Sequence, residues 1–204
     1  MKKALILIDV QNDFLPNGSL AVPNGDAVIP VINKLVENEM FDVIVASQDW
    51  HPAIHLSFSS NNVGTTPYQI IDFEGYPQTM WPDHCIQGST GAQLSDALNL
   101  NKVAAVFRKG MNPLIDSYSA FYDNHHLDNT GLEGYLTAKE IEEVYICGLA
   151  GDYCVYFSAL DAIELGFETY IIDDAVRSIN DVDYISKMEF FKQQGGYIIE
   201  SSTL

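Results

Sequence analysis

Short apolar runs alternate along this chain with longer amphipathic segments. Lys3–Val10 (KALILIDV), Asp42–Gln48 (DVIVASQ), Lys102–Arg108 (KVAAVFR), Val144–Leu149 (VYICGL), Glu168–Asp173 (ETYIID) and Tyr197–Glu200 predict six strands, several of them apolar enough to be buried on both faces. Helical spacing predicts a helix from Asp26, read as its cap, to about Glu39, with Pro30 confined to the first turn. Further helices are predicted over Gly91–Leu98, Leu136–Glu143, Asp152–Leu165 (stopped by Gly166) and Asp181–Gln194 (ended by Gly195-Gly196). Strand–helix alternation of this kind implies an α/β fold, with helices on both faces of a mostly parallel sheet. The chain has no repeat, linker or low-complexity stretch, so residues 1–204 read as a single domain.

Two connections are longer than a compact domain needs, Trp50–Thr90 and Lys109–Gly134, and loops of that length are usually functional. All five histidines (His51, His55, His84, His125 and His126) fall within them. In an open parallel sheet, ligands bind beyond the carboxyl ends of the strands. The first strand ends in Asp9, the second in Asp49-Trp50-His51, the third in Arg108-Lys109-Gly110, and the fourth leads through Gly148–Asp152 to Cys154. Successive strands thus deliver a carboxylate, a carboxylate with a histidine, a lysine and a cysteine to one rim.

Charge and cysteine usage narrow the partners. With 10 Lys plus Arg against 28 Asp plus Glu, the formal net charge is −18, a field that repels phosphate backbones and acidic membranes. The apolar run Ala4–Ile8 ends at Asp9, too short for a secretory or membrane segment, so a cytoplasmic protein is expected. Three cysteines (Cys85, Cys147 and Cys154) do not make a disulfide framework. There is no G-x-G-x-x-G, Walker loop or G-x-S-x-G elbow, which removes support for dinucleotide, P-loop and serine-hydrolase readings.

Cys154 lies at or near a helix start, where free N–H groups and the dipole favour a thiolate. Lys109 would add positive charge, and Asp9 would accept the thiol proton. Taken alone, Cys154 also reads as a small buried cysteine, as Cys147 does, and Cys85 is ambiguous. Asp49 and His51, two residues apart at a strand end, point the same way. With His84 as third ligand and His55 as a candidate fourth they suit Zn, Fe or Mn, although a hydrogen-bonded histidine loop without an ion explains the spacing equally well. His125 and His126 read as solvated. Phe14, Trp81 and Tyr118 either wall a flat pocket for an aromatic ring or pack the long loops.

The segments DVQNDF at 9–14, SQDWHP at 47–52, WPDHC at 81–85, RKG with DSYSAF at 108–121 and GLAGDYCV at 148–155 resemble, in order and over most of the chain, the nicotinamidases of the isochorismatase-like cysteine hydrolase family. The resemblance implies a three-layer α/β/α fold with six strands in the order 3-2-1-4-5-6. It implies a triad of Asp9, Lys109 and Cys154, an oxyanion hole from the N–H groups of Ala150 and Cys154, and a cis peptide between Leu149 and Ala150. It also implies one divalent metal, zinc ahead of iron or manganese, on Asp49, His51 and His84, with His55 varying among relatives. The implied activity is conversion of nicotinamide to nicotinate, and of pyrazinamide to pyrazinoate, in NAD salvage. The alternatives are isochorismatase-type hydrolases and carbamoyl- or ureido-acid amidohydrolases, which lack the metal loop. No nucleic-acid or membrane partner is implied, and self-association stays open. At Gly151, where relatives usually carry Thr, the loop loses a hydroxyl and a β-branch.

Overall fold

In the computed structural model, which describes residues 1–73 and 75–204, the strands are β1 (Lys2–Ile8), β2 (Val43–Asp49), β3 (Ile70–Phe73), β4 (Tyr76–Thr79), β5 (Ala105–Lys109), β6 (Ile141–Gly148), β7 (Glu168–Val176) and β8 (Tyr197–Ile199). The helices are α1 (Val28–Glu37), α2 (Leu132–Ala138), α3 (Tyr156–Glu164) and α4 (Asp181–Gln193). The main sheet runs β5-β2-β1-β6-β7-β8, all parallel, which is the predicted 3-2-1-4-5-6 order when its six strands are counted alone.

Burial on both faces explains why β1 is apolar throughout. Leu5 and Leu7 join the core under α1 with Val28, Ile32 and Leu35. Ala4, Ile6 and Ile8 face the opposite core with Ala159 and Ala162 of α3 and Phe191 of α4. Each leucine or isoleucine of β1 removed from water contributes about 1.5–3 kcal/mol, so β1 is pinned from both sides. In register, Leu5 pairs with Ile44 of β2 and Tyr145 of β6. The chain leaves β1 in opposite senses toward β2 and β6, so the crevice for a ligand lies beyond the carboxyl ends of β1 and β6.

Three expectations change. Gly91–Leu98 is not helical, because its carbonyls are taken from outside. Those of Gly91 and Gln93 accept from the N–H groups of Asp13 and Asn12, and that of Ala92 accepts from the side-chain amides of Gln11 and Gln48. The helix expected at Leu136–Glu143 begins earlier and stops at Ala138. Glu140 takes φ 60°, and Ile141–Glu143 alternate buried and exposed as the start of β6. Asp26 does not cap α1 but sits in a 3₁₀ turn ahead of it, while Pro30 falls in the first helical turn. The antiparallel hairpin β3–β4 inside the first long connection is unpredicted. Its strands leave Ile70 and Tyr76 more than half exposed, so no buried face marks them in the sequence. Among the described residues no helix is long and apolar enough to cross a membrane.

Candidate active site

Strand ends build the site. Asp9 follows β1 with φ 46°, a backbone region that non-glycine residues seldom occupy outside constrained sites. Ser47 of β2 holds it on two sides: the Ser47 hydroxyl donates to Asp9 Oδ1 at 2.6 Å and accepts from the Asp9 N–H at 3.2 Å. Lys109 closes β5 with its ammonium wholly buried. Nζ lies 3.0 Å from Asp9 Oδ2 and 2.8 Å from Asp49 Oδ1, donates to the Ser117 carbonyl at 2.8 Å, and reaches Cys154 Sγ at 3.4 Å. Cys154 sits in the turn Gly151–Val155, wound as a single π-type turn, that runs into α3. The Leu149–Ala150 peptide is cis, and the Ala150 N–H has no acceptor among the described residues. Asp9, Lys109 and Cys154, far apart in sequence, therefore meet in one buried cluster.

The charges in this cluster follow from burial first. Burial pushes the Cys154 thiol well above its usual range; Lys109 pulls it back, while Asp9 and Asp49 push it further up. Burial, with two carboxylates set against one ammonium, thus opposes the thiolate that a helix start alone would favour. Burial also raises Asp9, assisted by Asp49 and opposed by Lys109 and Ser47. The ammonium itself is disfavoured by burial, but Asp49, Asp9 and Cys154 outweigh that and hold it charged.

Beside the cluster, Asp49 Oδ2 faces His51 Nε2 at 3.1 Å and His84 Nε2 at 3.5 Å. The other ring nitrogens are committed. His51 Nδ1 lies 2.9 Å from the Gly110 carbonyl, and His84 Nδ1 lies 2.8 Å from that of Pro82. With Nδ1–H donating to a carbonyl, each ring is held so that Nε2 faces inward, as in metal-ligating histidines whose other nitrogen is anchored to the backbone. Asp49, His51 and His84 are all buried, and their ligand atoms lie within 4.8 Å of one another. One carboxylate and two imidazoles at that spacing fit a divalent ion of the zinc type. Gly110 is required beside them: it takes φ 67°, and a Cβ there would overlap the His51 ring. Burial opposes charge on Asp49, yet His51 and Lys109 hold its carboxyl well below the ordinary range.

His55 stands apart from this set. It groups instead with His51 and Asp116, its Nδ1 lies 2.8 Å from the Ser57 hydroxyl, and its buried Nε2 has no hydrogen-bond partner among the described residues. Burial pushes it down to about 4. Phe14, Trp81 and Tyr118 line a narrow cleft together with Asp49, His84, Ala150 and Cys154. His125, its ring 4.0 Å from that of Tyr76 and tilted 32° to it, and the half-exposed His126 lie outside it. Cys85 and Cys147 are buried with their thiols pushed up by burial, and neither lines the cavity.

Several contributors escape a reading of the sequence. Ser47 carries a usable signal, since it lies two residues before Asp49 on the same strand face. Gln11 clamps the backbone of Asp49 from both ends: its amide donates to the Asp49 carbonyl and its oxygen accepts the Asp49 N–H, each at 2.8 Å. Tyr153, Ile179 and Asp116 also line the cavity, and nothing in their spacing announces it.

Residues 3–203 match the Isochorismatase domain family. The chain is 49% identical over 180 residues to the nicotinamidase of Escherichia coli (strain K12), covering 87% of this chain and 84% of that relative. Its fold superimposes on the Acinetobacter baumanii nicotinamidase/pyrazinamidase with a TM-score of 0.95 at 41% identity, covering 99% and 97% of the two chains. The pyrazinamidase of Pyrococcus horikoshii, solved in complex with zinc, aligns with a TM-score of 0.81 at 34% identity over 98% and 99%.

Proposed function

The chain belongs to the isochorismatase family, and from that premise we propose that it is a metal-dependent cysteine amidohydrolase that converts nicotinamide to nicotinate and ammonia, with pyrazinamide as a second substrate. The observation that carries this reading is one cleft lined at once by Cys154 and Ala150, by Asp49 and His84, and by Phe14, Trp81 and Tyr118. A flat heteroaromatic amide suits such a lining, which offers aromatic rings to its ring and a thiol to its carboxamide.

Asp49, His51 and His84 would hold the divalent ion, which supplies a Lewis-acid anchor for the ring nitrogen when bound. The chemistry at the amide belongs to the triad. Asp9, a stronger base than an ordinary aspartate because burial raises it, takes the Cys154 proton as sulfur attacks the carboxamide carbon. Lys109, 3.4 Å from Sγ, stabilises the charge that develops there and fixes Asp9 through the 3.0 Å ion pair. The N–H groups of Ala150 and Cys154 hold the tetrahedral oxyanion, a contribution of roughly 3–4 kcal/mol per donor in comparable sites. Asp9 returns its proton to the departing ammonia, leaving a thioester on Cys154. It then takes a proton from water, whose oxygen attacks the thioester carbon and releases nicotinate while the proton restores the thiol.

Ammonia release from nicotinamide by the purified, zinc-loaded protein tests the reading. Release by the wild type and none by Cys154→Ala is expected; no release by the wild type would overturn it.

A further inference from the structure

The turn carrying Cys154 is gripped from outside the triad. The Asp152 carboxylate is fully buried and accepts the N–H groups of Ile179 and Asn180 at 2.9 Å each. Gly151 donates its N–H to the Arg177 carbonyl at 2.8 Å. Gly151 also has no room for a side chain: a Cβ would stand 2.6 Å from Val176 and 2.9 Å from the Tyr184 ring of α4. The absent hydroxyl and β-branch at 151 are therefore replaced by packing from α4.

From the same helix, the Lys187 ammonium donates to the Asp152 carbonyl at 2.5 Å. It lies 4.6 Å from the centre of the Tyr153 ring, with Tyr156 and Phe157 at 5.4 and 5.5 Å. Tyr153 is the residue before the nucleophile, and its ring lines the catalytic cavity edge-on to Trp81 at 4.8 Å. A compact ammonium with three donors can serve a carbonyl and an aromatic face together, and a half-buried cation over a tyrosine face holds that face in place.

We propose that Lys187 is a positioning residue for substrate: holding the Asp152 carbonyl and the Tyr153 ring from α4, it fixes the cavity wall against which the substrate ring is bound. The inference rests on the amidohydrolase reading for its consequence in catalysis, but not for the contact itself. Lys187 touches no reacting atom, so its loss weakens binding more than it slows chemistry.

The test compares Lys187→Met, which keeps the stem and removes the charge, with Lys187→Arg, which keeps the charge and the stacking. For nicotinamide, Lys187→Met is expected to raise KM about tenfold, equivalent to about 1.4 kcal/mol, with kcat changed less than about threefold. Lys187→Arg should restore most of the loss. A second readout needs no substrate. In a Trp50→Phe background, which leaves Trp81 as the single tryptophan, acrylamide quenching of fluorescence should rise in Lys187→Met and return in Lys187→Arg. Should Lys187→Met not fold, Lys187→Gln carries the same comparison. An unchanged KM, with or without altered quenching, would overturn the positioning role. If the wild type releases no ammonia from nicotinamide, the amidohydrolase reading fails by itself, and unchanged quenching would then overturn the link between Lys187 and Tyr153.

Discussion

The Lys109 ammonium and the Asp49 carboxylate stand 2.8 Å apart, so the group beside the thiol and a metal-type ligand share one hydrogen bond. Asp49 divides its oxygens: Oδ1 serves Lys109, and Oδ2 faces His51 and His84. The two halves of the site are thus one electrostatic unit, and a change in either is felt in the other.

Lys109→Ala should raise the Cys154 thiol still further, since the ammonium is what pulls it down against burial and two carboxylates. Alkylation by iodoacetamide at pH 7 should slow by about tenfold or more, as the reactive thiolate becomes scarcer. Removing a buried cation from between Asp9 and Asp49 should also cost about 3–5 kcal/mol of stability, read in denaturant unfolding. An alkylation–pH profile identical to wild type would separate Lys109 from the thiol.

Cys154→Ala should abolish turnover while leaving the thermal transition close to wild type, because the substitution removes only a sulfur from a buried turn. Cys147→Ala should keep most activity: that thiol lies inside β6, against the Ile6 carbonyl. Loss of activity in the Cys147 variant with retention in the Cys154 variant would reverse the assignment.

Asp9→Asn keeps the size of the side chain and removes its proton traffic. kcat should fall by roughly 10²–10⁴-fold with KM little changed. As a general base Asp9 would work as the carboxylate, and burial raises its pKa. In wild type, kcat/KM should therefore fall on acidification at a pH above the range of an ordinary aspartate, since the carboxylate is protonated sooner. An acid limb at or below that ordinary range would show that Asp9 is not the base.

His84→Ala should deplete bound zinc and activity together, whereas His55→Ala should keep zinc, because His55 groups with His51 and Asp116 rather than with the Asp49 set. Metal content by elemental analysis, paired with turnover, decides this. Full zinc occupancy in the His84 variant would overturn the ligand set.

What the sequence makes legible here is whatever depends on local pattern. The doubly covered β1 and the convergence of Asp9, Asp49, Lys109 and Cys154 on one rim follow from apolar runs ending in chemistry-bearing residues, whereas the strand order follows only from the family resemblance. Gly91–Leu98 was not legible, because its helical spacing is real and its carbonyls are claimed by Gln11, Asn12, Asp13 and Gln48 from other segments. The protonation state of Cys154 was not legible either. A helix start argues for thiolate, and only the packed structure brings burial and two carboxylates against it. Tyr153 and Ile179 reach the cavity through the grip of Asp152 and Lys187, contacts of long sequence separation with no periodic signature.

A cysteine amidohydrolase that selects its substrate through the ring nitrogen must separate nicotinamide from benzamide in kcat/KM. Nicotinamide and benzamide share their shape and the scissile amide, and differ in the single ring nitrogen that Asp49, His51 and His84 would serve through a bound ion. A site built to ligate a substrate atom rejects the analogue lacking it by roughly 10⁴-fold in good cases, whereas an apolar pocket treats the two almost alike. With zinc-loaded protein, ammonia release is expected from nicotinamide and from pyrazinamide, with benzamide slower by about that factor. Comparable kcat/KM for benzamide and nicotinamide would contradict the account, even with Cys154 as the nucleophile.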